Sequence, residues 1–397
     1  MGAFSVCFFS SVQYSEPLDS TSAKKYRALK ELGDIIVIGF STTLRPRAFE
    51  QEARFYLLPW LPAPALRYPF LYTVGSALAV CAALRGDSSV LVAQSPYEGF
   101  AAALVKSAAH LLGKRVALIV ESHGDFEVSP FLQRRRSFPA VYRFLIRRVS
   151  RFSLRRSDAL RAISASTRRQ LEAWAPGKPI VQFPTWTDIQ PFMEAGTAKK
   201  PEGSERVLLF VGALTPLKAV DVLIAAFASI EDRPVDSRLI IIGRADDPAY
   251  ERRLSDDARA LGIASDVRFL ASMPQDQLAR YMAGALALVL PSLSEGLGRV
   301  AFEAMACGTT VVGSRVGGIV DLVVDGRTGF LVPPGDVLAL ARKMSWILTH
   351  PEKARAMGEE ARAFACRFFS TESYVSGYKR LFEQAAESAA ANGPRSR

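Results

Sequence analysis

Paired cysteines, a charged amino-terminal leader and long uncharged runs are all scarce in this chain of 397 residues. Cys7, Cys81, Cys307 and Cys366 are its four cysteines, far apart and in apolar stretches. No zinc or disulfide spacing results, and a reducing cytoplasm is the expected compartment. No Lys or Arg precedes Lys24, so the positive start of a signal peptide is lacking. Val6 stands where N-myristoylation needs Ser or Thr. The uncharged run Tyr68–Leu84 has 17 residues, holds Pro69, Gly75 and Ser76, and is flanked by Arg67 and Arg85. That is the lower limit for spanning a bilayer, and a buried or surface-docked helix is expected instead. No internal repeat is evident beyond two similar halves.

Hydrophobic residues make up 49% of the sequence, enough to build a sizeable core for each of two domains. A formal charge of +11 calls for an acidic partner, such as a nucleotide, an anionic lipid surface or a nucleic acid.

Strands and helices alternate along the chain, which predicts parallel sheets covered on both faces, an α/β class. Strands are expected at Phe4–Phe9, Ile35–Phe40, Phe55–Leu58, Val90–Ala93, Val116–Glu121, Leu160–Ser164 and Pro179–Phe183. After a polar, breaker-rich stretch (GTAKKPEGS, 196–204), a second series begins at Val207–Val211 and continues through Ser237–Ile242 and Val267–Leu270. The carboxyl end, from Pro351 to about Ala391, is expected to be helical throughout. Ligands of such sheets gather beyond the carboxyl ends of strands, which draws attention to the loops Gln94–Gly99 and Ser122–Asp125, the latter holding His123.

The stretch from Leu286 to Gly318 reads as strand, glycine-spaced turn (Gly296, Gly298), helix and strand. A helix start beyond a strand end offers unpaired N–H groups and a partial positive charge, which suit a phosphate or pyrophosphate. Two carboxylates, Glu295 and Glu303, flank it. As a glycosidase acid/base pair they fit poorly: eight helical residues would separate their backbones by about 12 Å, beyond the ~5–9.5 Å between carboxyl groups in those mechanisms. Glu303 can instead accept two hydrogen bonds from a ribose diol, and Glu295 can address a sugar or a cation. Gly296, Gly298 and Ala301 also match a dinucleotide fingerprint, but a five-residue loop intervenes after the strand, against a nicotinamide dehydrogenase. In the second series, Lys218 follows a strand and a glycine-containing loop, where its ammonium can neutralise a phosphate.

From Arg134 to Arg169 the chain carries twelve arginines and one acidic residue, Asp158. Phe138, Tyr142, Phe144, Leu145, Ile146 and Val149 interleave with them, as in a basic helix lying in an anionic lipid interface. No RNA-binding motif accompanies these charges, so no nucleic-acid partner is expected.

The segments FVGALTPLKAVDVLIAAF, LIIIG, VRFLASMP and LVLPSLSEGLGRVAFEAMACGTTVVGSRVGGIVDLVVDGRTGFLVPPGD together resemble the retaining GT-B glycosyltransferases of family 4. The likeness spans Val207–Asp336 and includes the pair of glutamates eight residues apart; RAISAST, FPTWTD and His123 extend it more loosely into the first half. It implies two Rossmann-like domains facing a central cleft: an acceptor-side domain over residues 1–195 and a nucleotide-sugar-binding domain over 205–370. The last helix, about 371–391, would pack back on the first. Implied too is transfer of a hexose-type sugar from a nucleoside diphosphate to a glycan or lipid-linked acceptor, with retention and no bound metal or other cofactor. Cell-surface polysaccharide or glycolipid synthesis at the inner face of the plasma membrane, held through the Arg134–Arg169 region, is the corresponding setting.

Position by position, the resemblance gives Lys218 the donor diphosphate and Glu303 the ribose hydroxyls. Glu295 and the backbone of Gly296, Leu297, Gly298 and Arg299 take the sugar and diphosphate, Gly212 lines the donor site, and His123 meets the sugar from the other domain. The chain departs from the family at Ala213, where an Arg is usual, at Ala219, where a Gly is usual, and at Thr185-Trp186 in place of Asn-Gly. Arg299 or Arg244 can supply the missing cation. Ala213 also motivates a second hypothesis, a catalytically silent nucleotide-sugar-binding protein, and a nucleotide-sugar epimerase is a lesser one.

Overall fold

A computed structural model describes residues 4–86, 89–133, 138–197, 205–245 and 247–391. Most of the 196–204 stretch, Arg134–Arg136 and the extreme carboxyl terminus lie outside the described residues. The chain folds as two compact units, the first comprising 1–127, 136–186 and 371–397, the second 128–135 and 187–370.

The first unit is built from β1 (Phe4–Tyr14), α1 (Ser20–Leu29), β2 (Gly33–Ser41), β3 (Arg47–Gln51), β4 (Ala53–Leu58), α2 (Pro64–Phe70), α3 (Ser76–Arg85), β5 (Val90–Ala93), α4 (Glu98–Leu111) and β6 (Ala117–Ser122). The short α5 (Ser129–Gln133) belongs to the second unit; α6 (Pro139–Arg156), β7 (Ala159–Ala162), α7 (Ala165–Trp174) and β8 (Ile180–Gln182) complete the first. Its sheet runs β3-β4-β2-β1-β5-β6-β7-β8. All neighbours pair parallel except β3 with β4. The hairpin strand β3 escapes the sequence pattern because RAFEQ is polar and largely open to solvent. Its partner turns at Glu52, in the left-handed region at φ 59°.

Central strands read as unbroken apolar runs because both faces are covered. Val6 to Ser10 and all of β5 and β6 are buried. Cys7, Phe9, Leu91, Leu118 and Val120 form the middle of the core. Burial pushes the Cys7 thiol up to about 12, whereas Cys81 and Cys366 are exposed, contrary to the apolar setting expected for all four.

The helical run Leu66–Arg85 is, by length and composition, apolar enough to cross a membrane. It is α2, a turn of π-helix at Leu71–Gly75, and α3, with Leu71, Ala79, Ala82 and Ala83 set into the core.

The second unit contains α8 (Gln190–Thr197), β9 (Arg206–Val211), α9 (Val220–Ala228), β10 (Ser237–Ile242), α10 (Pro248–Ala260), β11 (Val267–Leu270), α11 (Gln275–Gly284), β12 (Ala287–Leu290), α12 (Arg299–Ala306), β13 (Thr310–Ser314), α13 (Ile319–Leu322), β14 (Gly329–Val332), α14 (Val337–Thr349) and α15 (Pro351–Phe368). Its six strands run β11-β10-β9-β12-β13-β14, all parallel. The helical carboxyl end breaks at Phe369–Ser370, and α16 (Thr371–Ala391) belongs to the first unit. Tyr374, Tyr378 and Phe382 of α16 are buried there. Gly377 permits close approach, since a Cβ would sit 2.6 Å from the Phe183 ring.

Candidate functional site

In the second sheet β9 and β12 lie side by side, with β10 and β11 outward of one and β13 and β14 outward of the other. Connections leave this pair in opposite directions, which makes their carboxyl ends the topological position at which open α/β sheets bind ligands. The loop after β9 is pinned by backbone bonds from Gly212 N to Ile242 O and from Leu214 N to Arg244 O, both 3.0 Å. Gly243 makes this possible: a Cβ there would lie 1.9 Å from the Gly212 carbonyl. The exposed Arg244 therefore stands at the carboxyl end of β10, beside the Gly212 loop. Ala213 is exposed between them. A 3-10 turn, Pro216–Lys218, ends on Ala219, which holds the left-handed region at φ 49° where glycine would be strain-free.

That turn delivers the Lys218 ammonium onto Glu295, in the loop after β12. Ser292 Oγ donates to the same Glu295 oxygen at 2.9 Å, and Leu293 N bonds Leu217 O at 2.9 Å, so the two loops are fastened together. Ser129 of α5 and Ser294 meet at 3.1 Å. The structure thus brings Lys218 and Glu295 into one ion pair, with Glu295 facing a cation.

Gly298 is the N-cap of α12, at φ 82°, and no side chain caps the helix. Its first N–H groups remain available for an anion. Leu297 is buried at 4% exposure, and its backbone lies against Gly318. Behind this segment stand Gly317 and Gly318, after β13. A Cβ on Gly317, itself at φ 51°, would fall 1.7 Å from the Glu295 carbonyl oxygen. Gly318 N donates to Gly296 O at 3.0 Å. Sequence reasoning singles out neither this glycine pair nor Ser292; a double glycine directly after an apolar run is the signal that could have found the pair.

One turn into α12, Glu303 is 4% exposed, unlike an ordinary solvated helix glutamate. Burial pushes its carboxyl up to about 7, partly offset by the Arg299 guanidinium, whose Nε lies 3.3 Å from Glu303 Oε1. A buried carboxyl whose one ion-pair partner among the described residues is an exposed arginine retains accepting capacity for two donors on a ligand.

His123 belongs to the first unit, and Lys218, Glu295, Gly296–Arg299 and Glu303 to the second. Its Nε2 lies 2.7 Å from the fully buried Glu121, which also accepts from Arg161 at 3.0 Å and Tyr378 at 2.7 Å. Burial alone would raise the Glu121 carboxyl, but the Arg161 charge and the His123 and Tyr378 bonds hold it well below the usual range. An ionised carboxylate only accepts, so Nε2 carries the hydrogen, and among the described residues Nδ1 is the ring nitrogen open to a ligand. Arg161, one of the twelve arginines of the basic run assigned to an anionic surface, is instead buried in this network. Arg143, Arg147, Arg148, Arg151, Arg155 and Arg156 of α6 are exposed.

The profile of the group 1 glycosyl transferases matches residues 194–364, and that of the glycosyl transferase 4-like domain residues 22–186. N-acetyl-alpha-D-glucosaminyl L-malate synthase of Bacillus anthracis is 30% identical over 282 residues, 69% of this chain and 70% of its own. A D-inositol 3-phosphate glycosyltransferase of Catenulispora acidiphila is 42% identical over 171 residues, 41% of this chain and 39% of that protein, so the chain spans about two fifths of it. HepE of Anabaena in complex with UDP-glucose has the same fold, with a TM-score of 0.70 at 20% identity over 96% of this chain and 99% of that one. With each half matched by its profile and one relative matched over most of its length, the chain belongs to the group 1 glycosyl transferases, on the GT-B fold.

Proposed function

We infer that this chain is a retaining hexosyltransferase that moves a sugar from a nucleoside diphosphate to a glycan or lipid-linked acceptor. The observation that carries the reading is the switch point of the second sheet, where Lys218, the uncapped start of α12 and the buried Glu303 are assembled. Departure of a nucleoside diphosphate leaves charge on its oxygens. The Lys218 ammonium and the N–H groups of Gly296–Arg299 stabilise that charge more as it develops, which accelerates the step. Glu303 holds the ribose diol, Glu295 orients Lys218 and the sugar, and His123 meets the sugar through Nδ1. Gly212 and Arg244 border the diphosphate. This account needs no metal ion and no protein nucleophile. The UDP-glucose bound by HepE supports a nucleotide-sugar donor.

The same reading places the enzyme at the cytoplasmic face of the plasma membrane, in cell-surface polysaccharide or glycolipid synthesis. Its support is the outer face of α6, where Phe138, Val141, Phe144 and Leu145 are exposed among the arginines, an arrangement suited to anionic lipid. The proposed acceptor and donor domains, over residues 1–195 and 205–370, each hold one sheet, with α5 and α8 grouped with the second unit and α16 with the first.

Incubation with radiolabelled UDP-, GDP- and ADP-sugars tests the reading. Release or transfer of sugar is expected, and Lys218→Ala or Glu303→Ala with undiminished turnover would show the assignment to be wrong. The exposed Ala213 favours one second reading, a silent nucleotide-sugar-binding protein. That alternative gives nucleotide binding with no turnover of any sugar.

A further inference from the structure

Where β6, β7 and β8 begin, at the end of the first sheet opposite His123, lies a cavity of about 610 Å³ walled entirely by the first unit. The length of β6 separates it from His123 by about 20 Å. Lys106 of α4, Arg115 before β6, Arg155 and Arg156 at the end of α6, and Lys178 before β8 line it, with one carboxylate among the described residues, Asp158. That carboxylate is already committed. It is 2% exposed and accepts from Lys106 Nζ at 2.6 and 2.7 Å and from Leu118 N at 2.7 Å.

The carboxyl ends of α4 and α6 answer a further part of the charge. Lys106 also reaches the Arg156 carbonyl at 3.3 Å, and Lys178 donates to the Ser157 carbonyl at 2.6 Å. Each helix end is worth about half a negative charge, so Asp158 and the two ends together leave about three of the five positive charges uncompensated. Arg115, Arg155 and Arg156 are exposed and have no carboxylate partner among the described residues. Burial lowers the pKa of the Lys178 ammonium, Asp158 opposing this and the Lys106 charge adding to it. The protein thus gathers cations whose mutual repulsion it relieves only in part, and an anion placed among them would complete the relief.

Guanidinium forks beside ammonium groups suit a phosphate monoester, whose three oxygens accept bidentate bonds and carry about −1.5 to −2 charge at pH 7. The volume leaves room for the alcohol it esterifies. Val141, Arg148 and Arg155 are spaced by seven and share one exposed face of α6, so the cavity adjoins the carboxyl end of the surface proposed to meet lipid. We propose that this cavity binds a phosphate monoester group, presented by a lipid headgroup or by a soluble phosphorylated metabolite, at a site separate from the nucleotide site of the second unit. The site goes beyond the glycosyl-transfer reading, and only its lipid form rests on the reading of α6.

Calorimetry of the full chain with glycerol 3-phosphate tests the soluble source. Cosedimentation with phosphatidylcholine vesicles containing phosphatidic acid, or phosphatidylserine at matched surface charge, tests the lipid source at about 0.15 M salt, where diffuse attraction is screened. Glycerol 3-phosphate, or phosphatidic acid in preference to phosphatidylserine, should bind. Arg115→Gln/Arg156→Gln, at two exposed positions, should weaken that binding at least about tenfold, the scale of losing charge-assisted hydrogen bonds. Unchanged thermal unfolding reports that this variant is folded. Charge reversal at Arg147, Arg148 and Arg151, outside the cavity, should leave glycerol 3-phosphate binding unchanged, as should Lys218→Ala. Binding of neither probe overturns the proposal, and so does a smaller loss in Arg115→Gln/Arg156→Gln, the mark of diffuse charge on α6 or of the nucleotide site. Glycerol 3-phosphate bound without any vesicle upholds the cavity and removes the membrane reading of α6; sugar transfer in the labelled-donor assay is decided independently of either result.

Discussion

Replacing Glu303 by glutamine keeps the volume of the side chain and removes a charge from a buried position. Burial raises this carboxyl from 4.5 to about 7, the Arg299 guanidinium offsetting part of the effect. Between those values the folded chain holds a proton that the unfolded chain has released. Stability therefore falls as pH rises through that window, and the full penalty is present above about 7. That rise corresponds to about 3 kcal/mol. The amide retains a burial cost of roughly 1 kcal/mol, so Glu303→Gln should stabilise the second unit by about 2 kcal/mol at pH 8. At pH 4.5 the gain should be lost, and the amide cost should leave the variant less stable by about 1 kcal/mol.

Urea denaturation at pH 4.5, 6 and 8, followed through Trp346, the one tryptophan of the second unit, measures this. The same substitution should weaken nucleotide binding by about 10- to 100-fold, because the amide offers a diol one acceptor instead of two and lacks the charge. Calorimetry in two buffers should detect proton release when the wild-type chain binds nucleotide near pH 7, and none in the variant. A variant less stable than the wild type at pH 8, or one with an unchanged pH dependence, refutes the reasoning. Stability gained where binding is lost would mark Glu303 as kept for its ligand rather than for the fold.

Gly317→Ala places a methyl group 1.7 Å from the Glu295 carbonyl at φ 51° and should abolish nucleotide binding, read by calorimetry, while unfolding of the first unit is unchanged. Arg161→Met leaves Glu121 buried without its main cation and should destabilise the first unit by about 3–5 kcal/mol, read by denaturation; Glu121→Gln in the same chain should recover part of that. Charge reversal at Arg147, Arg148 and Arg151 should abolish cosedimentation with phosphatidylserine vesicles, at about 1 kcal/mol for each cation lost. Wild-type binding should weaken steeply with salt, and binding that ignores salt would tell against the arginine face.

Local pattern carried much of this protein. The alternation of apolar runs and amphipathic segments located the parallel strands of the first sheet and those of the second except β14, because a strand buried on two faces must be apolar along its length. The glycine-spaced turn before α12, the lysine after β9 and Glu303 one turn into the helix were legible because each is defined by its immediate neighbours. What required the tertiary structure depends on groups distant in sequence. Strand order decides that Lys218 and Glu295, 77 residues apart, share an ion pair, and that Ser11 and Glu98, 87 apart, share a hydrogen bond. The polar β3 forms only because β4 offers it an edge. Arg161 reads from sequence as one of the twelve arginines of the basic run, on an expected strand. Its strand lies in the interior of the first sheet, where Glu121, Tyr378 from α16 and the Pro184 carbonyl satisfy its charge. Periodicity reports which way a side chain faces on its own element; the sheet and the returning helix decide what it meets there.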